Sequence, residues 1–286
     1  VKELELENLI AVDATASSDI LKNYIPLLQN GFNIVAANKK ANTQHLDFYN
    51  DLRRIAKKFD KSFLYETNVG AGLPVIQTIS DLYYSGEKIT KIRGVFSGSL
   101  SYIFNRFSSE NESFSKILID AEKLGLTEPD SREDLSGNDV ARKLLILARE
   151  LEQKVEFSDI KVASLLLPEL NEKHSKAQYA INKSLFDKSF NIAKITQSDN
   201  HVLRYVGELD LEKNQLEVKL VSVPKATALG QLKGADNLIE IYTKSYGEIP
   251  IVIQGAGAGK AVTARGVLTD ILKLAEKIKV KNEVWI

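Results

Sequence analysis

The chain has 286 residues, a 44% hydrophobic fraction and 38 acidic against 38 basic side chains. It is long enough for one large domain or two ordinary ones with a sizeable core, and its neutral balance gives no pull toward nucleic acid or an anionic membrane. With no cysteine, disulfides, thiol nucleophiles and thiolate metal sites are excluded, and a reducing cytoplasm is the expected compartment.

No apolar run approaches the roughly 20 residues of a membrane span, and the opening VKELELENLI is too charged for a signal peptide. LIAVDAT (9–15) reads as a buried strand, and SDILKNYIPLLQNG (18–31) as a helix closed by glycine. FNIVAA (32–37) is a second strand, TQHLDFYNDLRRIAKKF (43–59) a second helix and SFLYET (62–67) a third strand. Strands separated by helices of this length predict a parallel α/β sheet, with ligands past the carboxyl ends of its strands.

ITKIRGVFSGS (89–99) predicts a strand, followed by helical patterns over 100–108, 113–124 and 136–152. The polar stretch 171–191 is expected to be helical. HVLRYVGELD (201–210) and QLEVKLVSV (215–223) alternate like an antiparallel pair. IPIVIQ (249–254), the glycine-rich GAGAG and a helix over 261–279 suggest a return to α/β style. Three segments are expected: 1–70, 71–254, and 255–286 packing back on the first.

No G-x-G-x-x-G lies near the N-terminus. GAGAGK (255–260) is the one candidate, yet Lys260 stands at its third glycine position. It fails as a P-loop too, with Gln254 for the first glycine and Ala261 for the magnesium-binding Ser or Thr. A tight strand-to-helix turn explains it equally well. Methionine is absent and the chain starts with Val1, so a fragment of a longer polypeptide is expected.

TEPDSREDLSGNDVARK (127–143) is the densest chemistry. Glu128, Asp130, Glu133, Asp134 and Asp139 lead to Lys143, just before LLIL. Ser136 has the place of an N-cap with Asp139 three residues on, a capping-box spacing. A helix from Gly137 puts Val140, Leu144, Leu147 and Leu151 on one stripe, with Asp139 and Lys143 sharing a face beside it. Two readings stay open. Asp139 could cap the helix while Lys143 makes an ordinary surface pair. Alternatively, a partly desolvated lysine is kept charged by acids, with Glu128 and Asp134 free to bind an ammonium group. The order required of a calcium loop is not matched. His45, His174 and His201 form no cluster and read as structural or exposed.

Together with VAANKKANT (35–43), YETNVGAGLPV (65–75), GVFSGSLSYIFN (94–105) and GAGAGKAVTARGVLTDIL (255–272), this stretch resembles homoserine dehydrogenase. The wording is closest to the dehydrogenase half of bifunctional aspartokinase–homoserine dehydrogenases. The resemblance implies a partial Rossmann-type dinucleotide-binding domain, its N-terminal part missing, plus an α+β catalytic and dimerisation domain. It implies NADP- or NAD-dependent interconversion of L-aspartate 4-semialdehyde and L-homoserine, and a homodimer formed through the middle-domain sheet. By the same resemblance, Lys143 is the general acid/base. Asp139 binds the substrate oxygen and holds Lys143, Glu128 binds the substrate, and Asp134 helps fix its amine. Lys39 lies between nicotinamide and substrate, and Thr15, Gly125 and Gly259 line the cofactor. Glu66 and the carbonyls of Val69, Ala71 and Leu73 bind a monovalent cation, usually sodium. From the residues alone, Lys39 beside Lys40 could be a solvated loop pair, Glu66 could accept turn amides, and Thr15 could mark a helix entry. The family's glycine turn would lie upstream of Val1. The alternative to an active dehydrogenase is therefore a cofactor-less remnant that binds the amino acid or only dimerises.

Overall fold

The computed structural model describes residues 7–171 and 173–283. It is a mixed α/β structure built on two sheets. The first has three parallel strands, β1 (Ile10–Asp13), β2 (Asn33–Ala36) and β3 (Phe63–Leu64), in the order β1-β2-β3. β2 is central and buried at every position. β1 pairs with β2 alone among the described residues, and Val12 is 49% exposed, so the fully buried strand expected at 9–15 is instead an edge.

The helix expected over 18–31 opens as a 3-10 turn, Asp19–Asn23, and becomes α1 (Tyr24–Gln29). Gly31 closes it at φ +92°, a conformation that favours glycine. α2 (Leu46–Lys58) buries Leu52, Ile55 and Ala56 with Leu21, Tyr24 and Leu28 in a small core on this sheet. The third strand is shorter than expected because the chain turns into a 3-10 segment at Glu66–Asn68.

α3 (Val75–Tyr84) leads to the second sheet, which contains β4 (Ile89–Val95). Then come α4 (Gly98–Ser109), α5 (Phe114–Lys123), the short α6 (Arg132–Leu135) and α7 (Asn138–Glu150). β5 (Lys161–Val162) is followed by two helices, α8 (Lys176–Ile181) and α9 (Leu185–Ile195). They divide the expected helical stretch 171–191, in which residue 172 lies outside the described residues. The ten-residue strands β6 (His201–Asp210) and β7 (Gln215–Pro224) form the expected antiparallel pair. After α10 (Ala228–Gln231) come β8 (Asp236–Thr243), β9 (Ile251–Ala256) and the long α11 (Lys260–Glu283).

The sheet order is β5-β7-β6-β4-β8-β9, antiparallel apart from β5–β7. The α/β style expected at 249–254 is thus not what forms. β9 pairs antiparallel with β8 as an edge strand, Ile251↔Ile241 to Ala256↔Asp236. α4, α5, α7 and α9 cover the sheet with a core that includes Phe104, Phe107, Phe114, Phe186 and Phe190. α11 returns to pack beside β2 and the 66–68 turn, where its buried Asp270 accepts a hydrogen bond from Glu66 N at 3.0 Å.

Candidate functional site

α7 is the spine of the site. Val140, Leu144, Leu147 and Leu151 are buried as expected, but so are Ala141, Leu145, Ile146 and Ala148, so the helix threads the core rather than lying on it. Its entry differs from the capping-box reading. Ser136 ends α6, and the position before α7 is Gly137 at φ +77° with no side-chain cap. A Cβ there would lie 2.1 Å from the Tyr205 hydroxyl, which donates to Ala163 O. Packing against Tyr205 thus demands glycine, and the Asp139 carboxylate is released from capping to meet lysine.

Lys143 is 8% exposed. Its Nζ donates to Phe96 O at 2.6 Å and stands 2.8 Å from Asp139 Oδ2. Lys39 Nζ approaches Asp139 Oδ1 at 3.5 Å. Burial would raise the Asp139 carboxyl, but the ammonium charges of Lys143 and Lys39 outweigh it and hold it far below the usual carboxylate range. The surface-pair reading of Asp139 and Lys143 fails because Phe96 O, at the end of β4, draws the lysine into the interior.

A cleft of about 320 Å³ opens beside this pair, lined by Ser97, Glu128, Asp134, Ser136, Asp139 and Arg142 among others. Asp134 accepts from Ser99 Oγ and, at 2.9 Å, from Glu128 N. Ser97 and Ser99 hydroxyls lie 2.8 Å apart at the start of α4, where Ser97 also caps the helix. Burial raises both Glu128 and Asp134 above ordinary carboxylates. The Asp134 charge adds to the effect on Glu128, and the Asp139 charge to that on Asp134. Ser97, Ser99 and the Phe96 carbonyl were missed in sequence; the only signal was a Ser-Gly-Ser run between a strand and a helix.

Thr15 and Lys39 come together at the carboxyl ends of β1 and β2. Asp13, at the end of β1, ties Thr15 to Asn38, the residue before Lys39: it accepts from Tyr24 Oη at 2.6 Å, Asn38 Nδ2 at 3.0 Å and Thr15 N at 2.8 Å. Burial opposes ionisation of Asp13, but these bonds, Tyr24 foremost, hold its carboxyl low. Gly259, at φ +122°, precedes α11, and its neighbour Ala258 lies beside Gly98 at the start of α4. The turn is pinned at Gly257, where a Cβ would fall 1.9 Å from Cγ of the fully buried Asn237. Gly125 (φ +66°) faces a different hollow, of about 490 Å³, which shares Glu128 as a wall and also holds Lys176 and Lys183.

Glu66 is 7% exposed. Its two oxygens accept from Ile76 N at 2.8 Å and Gln77 N at 3.0 Å, in the first turn of α3, and Lys273 Nζ stands 3.7 Å away. The backbone reverses beside it through Gly70 (φ +80°) and Ala71 (φ +53°). Among the described residues no group of three or more His, Cys, Asp or Glu could hold a metal, and no helix is long and apolar enough to cross a membrane.

The family model for homoserine dehydrogenase matches residues 74–272, and that for the homoserine dehydrogenase NAD binding domain matches residues 1–66. The chain belongs to the homoserine dehydrogenase family. The homoserine dehydrogenase of Emericella nidulans is 40% identical over 279 residues, covering 94% of this chain and 76% of that protein. The bifunctional aspartokinase/homoserine dehydrogenase 1 of Zea mays is 42% identical over 269 residues, covering 94% of this chain. The chain spans 29% of the length of that bifunctional relative. A Candida auris protein of unknown function has a solved structure with a TM-score of 0.90 and 38% identity, over 95% of this chain and 77% of that one.

Proposed function

We propose that the chain catalyses the NADP- or NAD-dependent interconversion of L-aspartate 4-semialdehyde and L-homoserine. The observation that carries the reading is a buried lysine on a carboxylate, Lys143 on Asp139, beside a cleft also lined by the carboxylates of Glu128, Glu133 and Asp134. Such a site suits a substrate with an ammonium at one end and a reducible carbonyl at the other. Glu128 and Asp134 hold the ammonium. Lys143 gives its proton to the carbonyl oxygen as that oxygen gains charge, and takes it back in the reverse direction. Asp139 pairs with Lys143, positions it and binds the substrate oxygen.

Thr15, Gly125 and Gly259 would line the cofactor, and Lys39 would stand between it and the substrate. The donors at the ends of β1 and β2 fit its nicotinamide half: an exposed Thr15 hydroxyl and the Lys39 ammonium. When bound, the cofactor supplies or accepts the hydride.

Four further assignments go with this reading. Glu66 and the carbonyls of Val69, Ala71 and Leu73 would hold sodium or another monovalent cation through hard oxygen ligands, with Glu66 also accepting from Ile76 N and Gln77 N. Residues 1–70 and 255–286 serve the cofactor and 71–254 the substrate and a homodimer, with the six-stranded sheet at the interface; the protein works in the cytoplasm. A thermal midpoint no higher in sodium chloride than in choline chloride at equal ionic strength would remove the cation, and a purely monomeric sedimentation profile the dimer. The primary test is homoserine-dependent reduction of NAD⁺ and NADP⁺, with Lys143→Ala as control. Turnover lost in the variant supports the assignment; turnover retained removes Lys143 from it.

A further inference from the structure

Six residues after Lys143, about 9 Å along α7, the same helix carries Arg149. Its side chain is fully buried. All five N–H groups of the guanidinium are used. Nε and Nη2 donate to Val155 O at 3.2 and 3.0 Å, and Nη2 also to Glu156 at 3.0 Å. Nη1 donates across to the carbonyls of Asn42 and Gln44 at 3.0 and 2.8 Å. The other Glu156 oxygen accepts from Leu46 N at 2.8 Å, and the Tyr49 hydroxyl donates to the carbonyl of Arg149 at 3.2 Å. One side chain therefore ties the end of α7 to residues 42–49.

That segment presents Lys39. Asn42 N and the Thr43 hydroxyl both donate to Lys39 O, at 3.1 and 3.2 Å. Asn42 is itself fully buried, donating to Asn68 Oδ1 and accepting from Arg53, while Asn68 donates to Ala36 O at the end of β2. An unbroken buried path thus runs from Lys39 O through Asn42 and Arg149 along α7 to Lys143. At the working end, the Lys39 side chain is 33% exposed and its contact with Asp139 is 3.5 Å. A partly exposed pair of that length orients its members weakly, so the placement of Lys39 comes from its backbone.

We propose that Arg149 is a positioning residue that acts through the Asn42 carbonyl to hold the turn bearing Lys39 opposite the Asp139–Lys143 pair. It touches neither substrate nor cofactor. Lysine cannot stand in for it, because a single ammonium cannot span the carbonyls of Asn42, Gln44 and Val155 together.

The kinetic arm of the test rests on the proposed dehydrogenase activity; the exchange arm does not. In the full-length protein, Arg149→Lys is expected to lower kcat/KM for homoserine by about 100-fold, the scale of a 1 Å misplacement. In a Lys39→Ala background the same change is expected to cost less than about 3-fold, because its route is already gone. A full loss in both backgrounds, or no loss in the first, overturns the proposal. Glu156→Gln, at the half-exposed edge of the network, is expected to give a smaller loss with the same pattern, and it replaces Arg149→Lys if that variant does not fold. Hydrogen exchange decides the matter if the parent chain shows no turnover. The amides of Asn42 and Thr43 should exchange faster in the variant while those of 140–146 in α7 keep their protection. Unchanged exchange at 42–43 would overturn the proposal, and absence of turnover alone would count only against the activity.

Discussion

Lys39 and Lys143 meet on opposite oxygens of the Asp139 carboxylate, at 3.5 and 2.8 Å, although they come from different sheets of the fold. Lys39 follows β2 of the parallel sheet; Lys143 lies inside the helix that packs under the antiparallel one. The carboxylate between them offsets the repulsion of two like charges, of which the Lys143 ammonium is buried.

Removing the Lys143 ammonium should therefore separate catalysis from folding. Lys143→Ala is expected to cut kcat by about 10²–10⁴-fold, the usual worth of a positioned proton donor. It also leaves Phe96 O without its donor, at a cost of about 1–3 kcal/mol. Steady-state rates and a denaturation midpoint measured together check both; wild-type kcat in a folded variant would reject the role.

Substrate affinity should fall on acidification sooner than an ordinary carboxylate would allow. Glu128 and Asp134 are both raised, by burial first, and an ammonium substrate needs their anionic forms. kcat/KM for homoserine is expected to decline at a pH above the unperturbed value of about 4. Asp134→Asn removes the largest charge acting on Glu128 and should move the decline to lower pH. A profile that does not move separates Glu128 from the acid limb.

Glu128→Ala is expected to raise KM for homoserine by about 10-fold or more, since the cleft loses a charged partner for the ammonium. The cofactor KM should stay within about 2-fold. A change confined to the cofactor would place Glu128 elsewhere.

The acid limb of stability should depend on Asp13. Its folded carboxyl is held low by Tyr24, Thr15 and Asn38 against the effect of burial. A depressed group contributes stability above its unfolded value, about 4, and loses it as pH falls toward the folded value. Asp13→Asn should lower the melting temperature at pH 7 and flatten its dependence between about pH 4 and pH 2. An unchanged slope would mean that the network is not coupled to folding.

At the entry to α7, Gly137→Ala would force a left-handed residue against the Tyr205 hydroxyl. A loss of about 3 kcal/mol is expected, with activity falling because Asp139 sits two residues on. Gly137→Ala with Tyr205→Phe should recover part of the stability; no recovery would locate the strain in the backbone alone.

The elements with a clear period were legible along the chain. β2, α2, the β6–β7 pair and the buried stripe of α7 follow from apolar spacing, which a sequence displays directly. The cluster of acids before Lys143 was legible too, as composition. What spacing could not reveal was which atom each charge would meet. Ser136 and Asp139 have the spacing of a capping box, yet Gly137 takes the turn because Tyr205 closes over it. IPIVIQ, followed by a glycine turn and a helix, reads as α/β style; its pairing with β8 places it instead at the edge of the antiparallel sheet.

By its sequence alone the chain determined its family, its alternation of elements and the residue types that its site would contain, because these depend on neighbours along the backbone. Tertiary structure decided the rest. It set Phe96 O as the anchor of Lys143, Ser99 as the partner of Asp134 and Asp13 as the junction of Thr15 and Asn38. It also set Arg149 as the link to the turn of Lys39. Each is a contact between distant segments whose energy exists only after the cores have packed, when buried polar groups must find partners and only a few remain within reach.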